Sequence, residues 1–300
     1  MTLAPEIYNV DVAPILCYIC QQAINTKQKI KKGFDLCSDQ NRIVRRLAKI
    51  LMKFKGKVAL VTGGSRGIGK ATALKLAGEG AAVAVHYSRA VYKAEAVCEQ
   101  IRDIGQKAIP VQADIADRDA VNKMVATVTE ALGAIELLVN NAGDVGDMTF
   151  EELTPEHWDR IVAINLTGPF NVLWAVKHGM IEQHFGRIVN VSSIAALAVR
   201  PNQLPYAAAK AGVISLTKSC CGPLAAHNIR INSVAPGAIA TDMLGEVSTE
   251  MVDQLRSTTP LGRLGEPEEM ADVIAFLLSE ESSYMTGSTV IASGGRILIP

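Results

Sequence analysis

Residues 62–69 read Thr62-Gly63-Gly64-Ser65-Arg66-Gly67-Ile68-Gly69 and follow a short apolar run, Val58–Val61. Glycines between a strand and a helix permit a tight turn. They also let the backbone approach a pyrophosphate, which then rests on the N-terminus of the helix. Such turns occur without a ligand too, so the reading needs a second feature. It comes at the end of the next strand, where a site for NAD places Asp or Glu against the ribose 2′-hydroxyl and a site for NADP needs cations for the 2′-phosphate. Val85-His86-Tyr87-Ser88-Arg89 holds no acid. Arg89 and the turn residue Arg66 are suited to charge-assisted bonds with that phosphate, although two ordinary surface arginines are the competing explanation. The missing acid and the two cations together point to NADP(H).

These groups need a frame. Apolar runs at Val58–Val61, Ala82–His86, Ala108–Gln112, Leu137–Val139, Arg187–Val191, Arg230–Val234 and Thr289–Ala292 read as strands. Helical spacing separates them over Ile68–Gly80, Ala90–Ile104, Asp119–Leu132, Trp158–Gln183, a stretch from Pro205, and Pro267–Leu278. Strands alternating with helices imply an α/β fold of the Rossmann type, a doubly wound parallel sheet with helices on both faces, in a single domain over 52–300.

From Phe54 to Gly295 the chain resembles the short-chain dehydrogenase/reductases, especially their 3-oxoacyl-[acyl-carrier-protein] reductases. The matching pieces, in order, are T-G-G-S-R-G-I-G (62–69), Asp114-Ile115, N-N-A-G (140–143), I-N-L-T-G (164–168), V-S-S (191–193), Y-A-A-A-K (206–210) and A-P-G (235–237). The resemblance implies a catalytic tetrad of Asn165, Ser193, Tyr206 and Lys210. Tyr206 and Lys210, four apart, share a helix face. A free phenol has a pKa of about 10. The nearby ammonium and a positive nicotinamide are expected to lower it toward the working range, so that Tyr206 exchanges a proton with the substrate oxygen. Ser193 is expected to hydrogen-bond that oxygen, with Ser192 supporting the backbone. Lys210 would also bind the nicotinamide ribose, and Asn165 a water linking Lys210 to solvent. By the same resemblance Asp114 and Ile115 flank the adenine, and Asn141, Ala142 and Gly143 line the nicotinamide side. Pro236, Gly237, Ile239 and Thr241 meet the carboxamide and phosphates, while Thr62 to Gly69, Ser88 and Arg89 complete the cofactor set.

Three departures from the family pattern stand out. Histidines His184 and His227 occupy places where the carrier-protein reductases usually carry arginine. Histidine lacks the permanent charge of arginine, which weakens docking of an acidic acyl-carrier protein. Gly222-Pro223 falls in the helix after Tyr206, where proline is expected to kink or end it. Ser293 replaces the usual Asp before Gly294-Gly295.

Composition agrees with one apolar α/β unit: 49% hydrophobic residues, only 5% aromatic, and a formal net charge of zero. That balance gives no reason to expect nucleic acid, and no apolar run is long enough for a membrane span. Six cysteines without framework spacing point to the reducing cytoplasm, and no metal is expected, Cys17-x-x-Cys20 lacking a fourth ligand. Residues 1–51 stand outside the strand–helix rhythm. With eight Lys/Arg against four acids they carry +4, and they read as a disordered or weakly helical extension dispensable for activity. The most direct function is reduction of a carbonyl, a 3-oxoacyl thioester by resemblance, by a homotetramer. The alternatives are another alcohol, sugar or steroid dehydrogenase on this scaffold and, in a different class, a non-catalytic NADP-binding regulator.

Overall fold

A computed structural model describes residues 52–241 and 249–297. The 1–51 extension, and with it Cys17 and Cys20, lies outside the described residues. Seven parallel strands form one sheet: β1 (Val58–Val61), β2 (Ala82–Tyr87), β3 (Ala108–Gln112), β4 (Leu137–Asn140), β5 (Gly186–Val191), β6 (Ile229–Pro236) and β7 (Thr289–Ala292). Their order is β3-β2-β1-β4-β5-β6-β7, the doubly wound arrangement expected from the sequence. The described helices are α1 (Gly67–Gly78), α2 (Val91–Asp103), α3 (Arg118–Leu132), α4 (Pro155–Val162), α5 (Gly168–Glu182), α6 (Leu204–Ala225), α7 (Thr249–Ser257) and α8 (Pro267–Leu278).

Alternation along the strands sends side chains into two cores. In β1, Ala59 and Val61 enter the layer with Leu76 of α1, Ile101 of α2 and Ile274 of α8. Val58 and Leu60 enter the layer with Met124 of α3, Leu173 of α5 and Leu224 of α6. Both faces of the strand are thus buried, which is why the strands read as continuous apolar runs and not as alternating ones.

Two long helices depart from expectation. The stretch Trp158–Gln183 is not one α-helix: α4 ends at Val162, Ala163–Thr167 form a π-helical turn, and α5 begins at Gly168. Helix α6 continues through Pro223 and ends two residues later, at Ala225. Proline removes a donor near the last turn, where the helix was about to stop.

A buried polar bridge ties the strands to the helices behind them. Asn190 of β5 accepts from Asn140 Nδ2 of β4 at 3.0 Å and donates to Thr217 Oγ1 of α6 at 2.9 Å. Asn140 also donates to the carbonyl of Pro169 in α5 at 3.2 Å. Asn190 is fully buried, so Asn190→Ala strands an Asn140 N–H in a dry interior. The expected loss is about 1–3 kcal/mol, read as a lower denaturation midpoint with an unchanged slope.

Candidate active site

The strand order reverses between β1 and β4, and the crevice opens at the carboxyl ends of these two strands. Thr62 closes its floor. Its hydroxyl accepts from the backbone N–H groups of Asn141 and Ala142 at 2.9 and 3.0 Å and donates to the Val139 carbonyl at 3.3 Å. The Asn141 side chain returns the link, donating to the carbonyls of Thr62 and Gly63 at 3.1 Å each. Thr62 and Asn141, both in the expected cofactor set, therefore shape the crevice by bonding each other.

The glycines answer to specific crowding. Gly63 sits at φ 62°, and a side chain at Gly69 would collide with the Gly63 carbonyl and come 2.6 Å from Asn141 Nδ2. A Cβ on Gly67 would lie 3.1 Å from Thr241 Cγ2, which brings the end of the segment after β6 onto the turn. Helix α1 starts after Arg66 with no side-chain cap and no acid in its first turn, leaving its first N–H groups unsatisfied by the chain and available to an anion. Ser65 and Ile68 are half-buried in this turn, Ile68 against the core.

Arg66, Ser88 and Arg89 are exposed. Among the described residues neither guanidinium has a hydrogen-bond or ion-pair partner. The two lie at one corner, because β1 and β2 pair in register and Gly64 N–H donates to the His86 carbonyl. Asp114 is exposed just beyond β3, its carboxylate accepting from Ala116 N–H at 2.9 Å. Ile115 is buried under Gly168. At the other end of the crevice Pro236 ends β6, Gly237 N–H donates to Ala292, and buried Ile239 bridges to Gly265. Ser293 packs so close to Gly237 that a Cβ there would come within 2.8 Å of its Cα.

The tetrad residues converge from β5, α6 and the π-turn. Ser193 caps the short turn after β5, its hydroxyl accepting from Ala195 N–H at 3.0 Å, and it hydrogen-bonds Tyr206. Ser192 is buried and its hydroxyl is committed to the Lys210 carbonyl at 2.8 Å. Lys210 is 3% exposed; its Nζ donates to the Val191 carbonyl at 2.9 Å and stands 5.6 Å from the Tyr206 ring centre. Asn165, in the π-turn, donates to the carbonyls of Asp144 (2.7 Å) and Ile161 (2.9 Å) and accepts from Asp144 N–H at 3.3 Å. Gly143 is where these parts meet: a Cβ there would lie 2.7 Å from Asn165 Oδ1 and 3.4 Å from Lys210 Nζ.

Electrostatics differ from expectation on one point. Burial raises the Tyr206 phenol above its ordinary value, with the charge of Asp147 adding to the rise and only the Ser193 hydrogen bond opposing it. Burial also lowers the Lys210 ammonium from 10.5 to about 8, so the cation expected to draw the phenol down is itself desolvated. The chain alone therefore holds Tyr206 as a neutral phenol, a proton donor.

His184 and His227, at the starts of β5 and β6, lie 6.3 Å apart between ring centres, at the opposite end of the strands from the tetrad. Sequence reasoning did not find the Asn140–Asn190–Thr217 bridge, the π-turn at Asn165, or any role for His86; its one signal was a polar residue inside an apolar strand. Among the described residues no cluster of His, Cys, Asp or Glu is arranged to hold a metal ion, and no helix is long and apolar enough to cross a membrane.

Comparison with known proteins agrees with this arrangement. The family model for enoyl-(acyl carrier protein) reductase matches residues 63–296. The 3-oxoacyl-[acyl-carrier-protein] reductase FabG of Staphylococcus aureus is 42% identical over 242 residues, 81% of this chain and 98% of that protein. Its counterpart in Thermotoga maritima is 42% identical over 247 residues, 82% of this chain and all of that one. Among solved structures, 3-oxoacyl-[acyl-carrier protein] reductase of Brucella melitensis aligns with a TM-score of 0.78 at 36% identity, covering 84% of this chain and 96% of its own. Levodione reductase aligns equally well, at 0.78 and 35% identity over 81% of this chain and 98% of its own. The chain belongs to the short-chain dehydrogenase/reductase family and within it resembles the 3-oxoacyl-[acyl-carrier-protein] reductases.

Proposed function

We propose that the protein is an NADPH-dependent reductase that converts a ketone, most directly a 3-oxoacyl thioester, to a secondary alcohol. The observation that carries this reading is the convergence of Ser193, Tyr206 and Lys210 on the mouth of a crevice whose floor is the glycine turn. The turn fits a dinucleotide on three counts: an uncapped helix start, glycines whose side chains would collide with the backbone, and two arginines, without a partner among the described residues, where a 2′-phosphate would lie. When bound, the reduced nicotinamide supplies the hydride.

The chain's own residues do the rest. Ser193 holds the ketone oxygen by donating its hydroxyl hydrogen. Tyr206, kept neutral by burial, gives its Oη proton to that oxygen as negative charge develops there. Lys210 offsets the charge left on the phenolate, since its ammonium, held by the Val191 carbonyl, stands beside the ring. Asn165 acts through position: its amide fixes the Asp144 backbone, and hence Gly143, against Lys210. The same reading makes the protein cytoplasmic. It also makes it a homotetramer in which copies cover the exposed faces of α5 and α6, where Trp174 stands 46% exposed on Phe170.

Histidines at positions 184 and 227 favour a second substrate class within this reaction, a free or CoA-linked ketone in place of one delivered by an acidic carrier protein. Assaying NADPH oxidation with acetoacetyl-CoA, carrier-bound 3-oxoacyl substrates, diketones and sugars separates the two.

Three outcomes are expected. NADPH binds well ahead of NADH, and Arg89→Ala removes a charge-assisted bond, weakening NADPH about tenfold or more while leaving NADH unchanged. Equal titration curves for both cofactors in the parent would refute the assignment. Tyr206→Phe folds and binds NADPH, but turns over about 10²–10⁴-fold more slowly on the best substrate; near-normal rates would remove Tyr206 from its role.

Lys210→Met loses activity yet gains stability. The folded pKa of about 8 lies below the unfolded 10.5, so at pH 7 the buried charge costs about 3 kcal/mol. That cost declines as pH rises through 8 and is gone above 10.5. The variant should therefore melt higher than the parent at pH 7, with the gap closing toward pH 10. A lower melting temperature at pH 7 would contradict the assigned cost of burial.

A further inference from the structure

His86 is a buried histidine on β2 with both ring nitrogens engaged by backbone. Its exposure is 2%. Gly63 N–H donates to Nδ1 at 3.0 Å, and Nε2 lies 3.1 Å from the Ala113 carbonyl oxygen. The partners settle the proton. An amide N–H can only donate, so Nδ1 carries a lone pair; a carbonyl can only accept, so Nε2 carries the hydrogen. Protonating Nδ1 would set two N–H groups against each other across 3.0 Å.

The residue also uses its main chain, since the His86 carbonyl accepts from Gly64 N–H at 2.9 Å. One residue therefore takes up the donors of both Gly63 and Gly64. The amides left for an anion begin further on, at the start of α1, whose first helical hydrogen bond runs from Lys70 N–H to the Arg66 carbonyl. On its other side the ring holds Ala113, the residue before Asp114. The imidazole thus spans the glycine turn after β1 and the end of β3.

We propose that His86 is a positioning residue of the cofactor site: a neutral Nε2–H imidazole that fixes the Gly63 amide and ties the phosphate turn to the adenine-side loop. This rests on reading the turn as a dinucleotide site. Its surroundings agree with a neutral ring. Burial holds the imidazole pKa below its ordinary value, outweighing the Ala113 hydrogen bond and the carboxylate of Asp114, the charged group that faces it.

The test uses the full chain and two readouts. Long-range ¹H–¹⁵N NMR on ¹⁵N-histidine protein, with the His86 signals identified by their loss in His86→Asn, should show Nε2–H and unprotonated Nδ1 at pH 7. An Nδ1–H or charged ring would overturn the proposal whether or not any cofactor binds. The second readout is NADPH affinity and steady-state kinetics for three variants. Asparagine places its carbonyl near the Nδ1 position, so His86→Asn keeps the acceptor for Gly63. His86→Leu keeps the bulk without it, and His86→Gln places its amide near Nε2 and keeps only the Ala113 link.

Leu and Gln should weaken NADPH about tenfold, in Kd and KM alike, while Asn stays within about threefold of the parent and kcat changes little in all three. If Leu does not fold, the Asn–Gln pair carries the same comparison. Equal affinities for Asn and Gln, or a fall in kcat with Kd unchanged, would refute it. A parent chain that binds neither NADPH nor NADH would instead refute the functional reading, leaving the tautomer measurement to decide on His86.

Discussion

The site depends on keeping two strand ends apart by a fixed amount while bonding them together. At the point where the strand order reverses, helices leave β1 and β4 toward opposite faces, and the crevice would be unsupported without side chains to span it. Thr62 supplies that support from one hydroxyl, which takes two backbone N–H groups of the β4 loop and donates to a third backbone group. Asn141 answers from the other side. The glycine turn is thereby referenced to the segment that leads to Gly143, where a side chain would meet Asn165 and Lys210. A substitution at Thr62 that kept its size but not its oxygen would leave two partly buried amides unpaired and loosen the glycine turn and the Asn165–Lys210 corner together.

The burial of Lys210 works against stability. An ammonium at 3% exposure, held by the Val191 carbonyl, costs folding energy, and the lowering of its pKa to about 8 has the same cause, desolvation by burial. Burial pushes Tyr206 the other way, toward the neutral phenol. Both shifts have the same origin, removal of water from a small corner, and both favour the uncharged form of each group. A ligand bringing charge to that corner meets a buried ammonium and a half-buried phenol, which respond to it more strongly than groups in bulk water do. The surrounding fold offsets the strain with two apolar layers and the Asn140–Asn190–Thr217 bridge, which clamps α5 and α6 to the sheet just below the site.

The strands were legible because a parallel sheet covered on both faces needs apolar residues at every position. Hence Val58–Val61 and Ala108–Gln112 stand out as runs with the bounds the structure gives. The glycine turn and the Tyr206–Lys210 pair were legible because their spacing is local. What was not legible depends on tertiary contact. Helix α7 carries Met251, Val252 and Leu255 at helical spacing, but it is short and buries none of its side chains fully, so the signal is too brief to stand out from the loop around it. The break at Ala163–Thr167 widens the helix to place Asn165 beside the Asp144 backbone, and no propensity in Ala-Ile-Asn-Leu-Thr announces that. The Tyr206 phenol was expected to be lowered by Lys210 and a bound nicotinamide; the Lys210 side chain can be seen in the sequence, whereas the burial that raises the phenol in the chain alone cannot.

Donors left over after folding are the clearest trace of what the site is for. Proteins satisfy buried and helix-terminal polar groups with their own side chains where they can. This chain does so elsewhere: Asp117 caps α3 with two hydrogen bonds and Thr154 caps α4. Helices α2, α5 and α6 also start without a side-chain cap, but at α1, the helix facing the crevice, the residue at that position is Arg66, whose cationic side chain cannot accept a hydrogen bond. The nearby Arg89 is likewise uncommitted among the described residues, while His86 absorbs the two glycine amides that would otherwise compete. The unpaired groups are all donors, all positive or partly positive, and all on one rim. A surface selected only for folding would pair or disperse them; grouped in this way they are complementary to an anion with more than one phosphate.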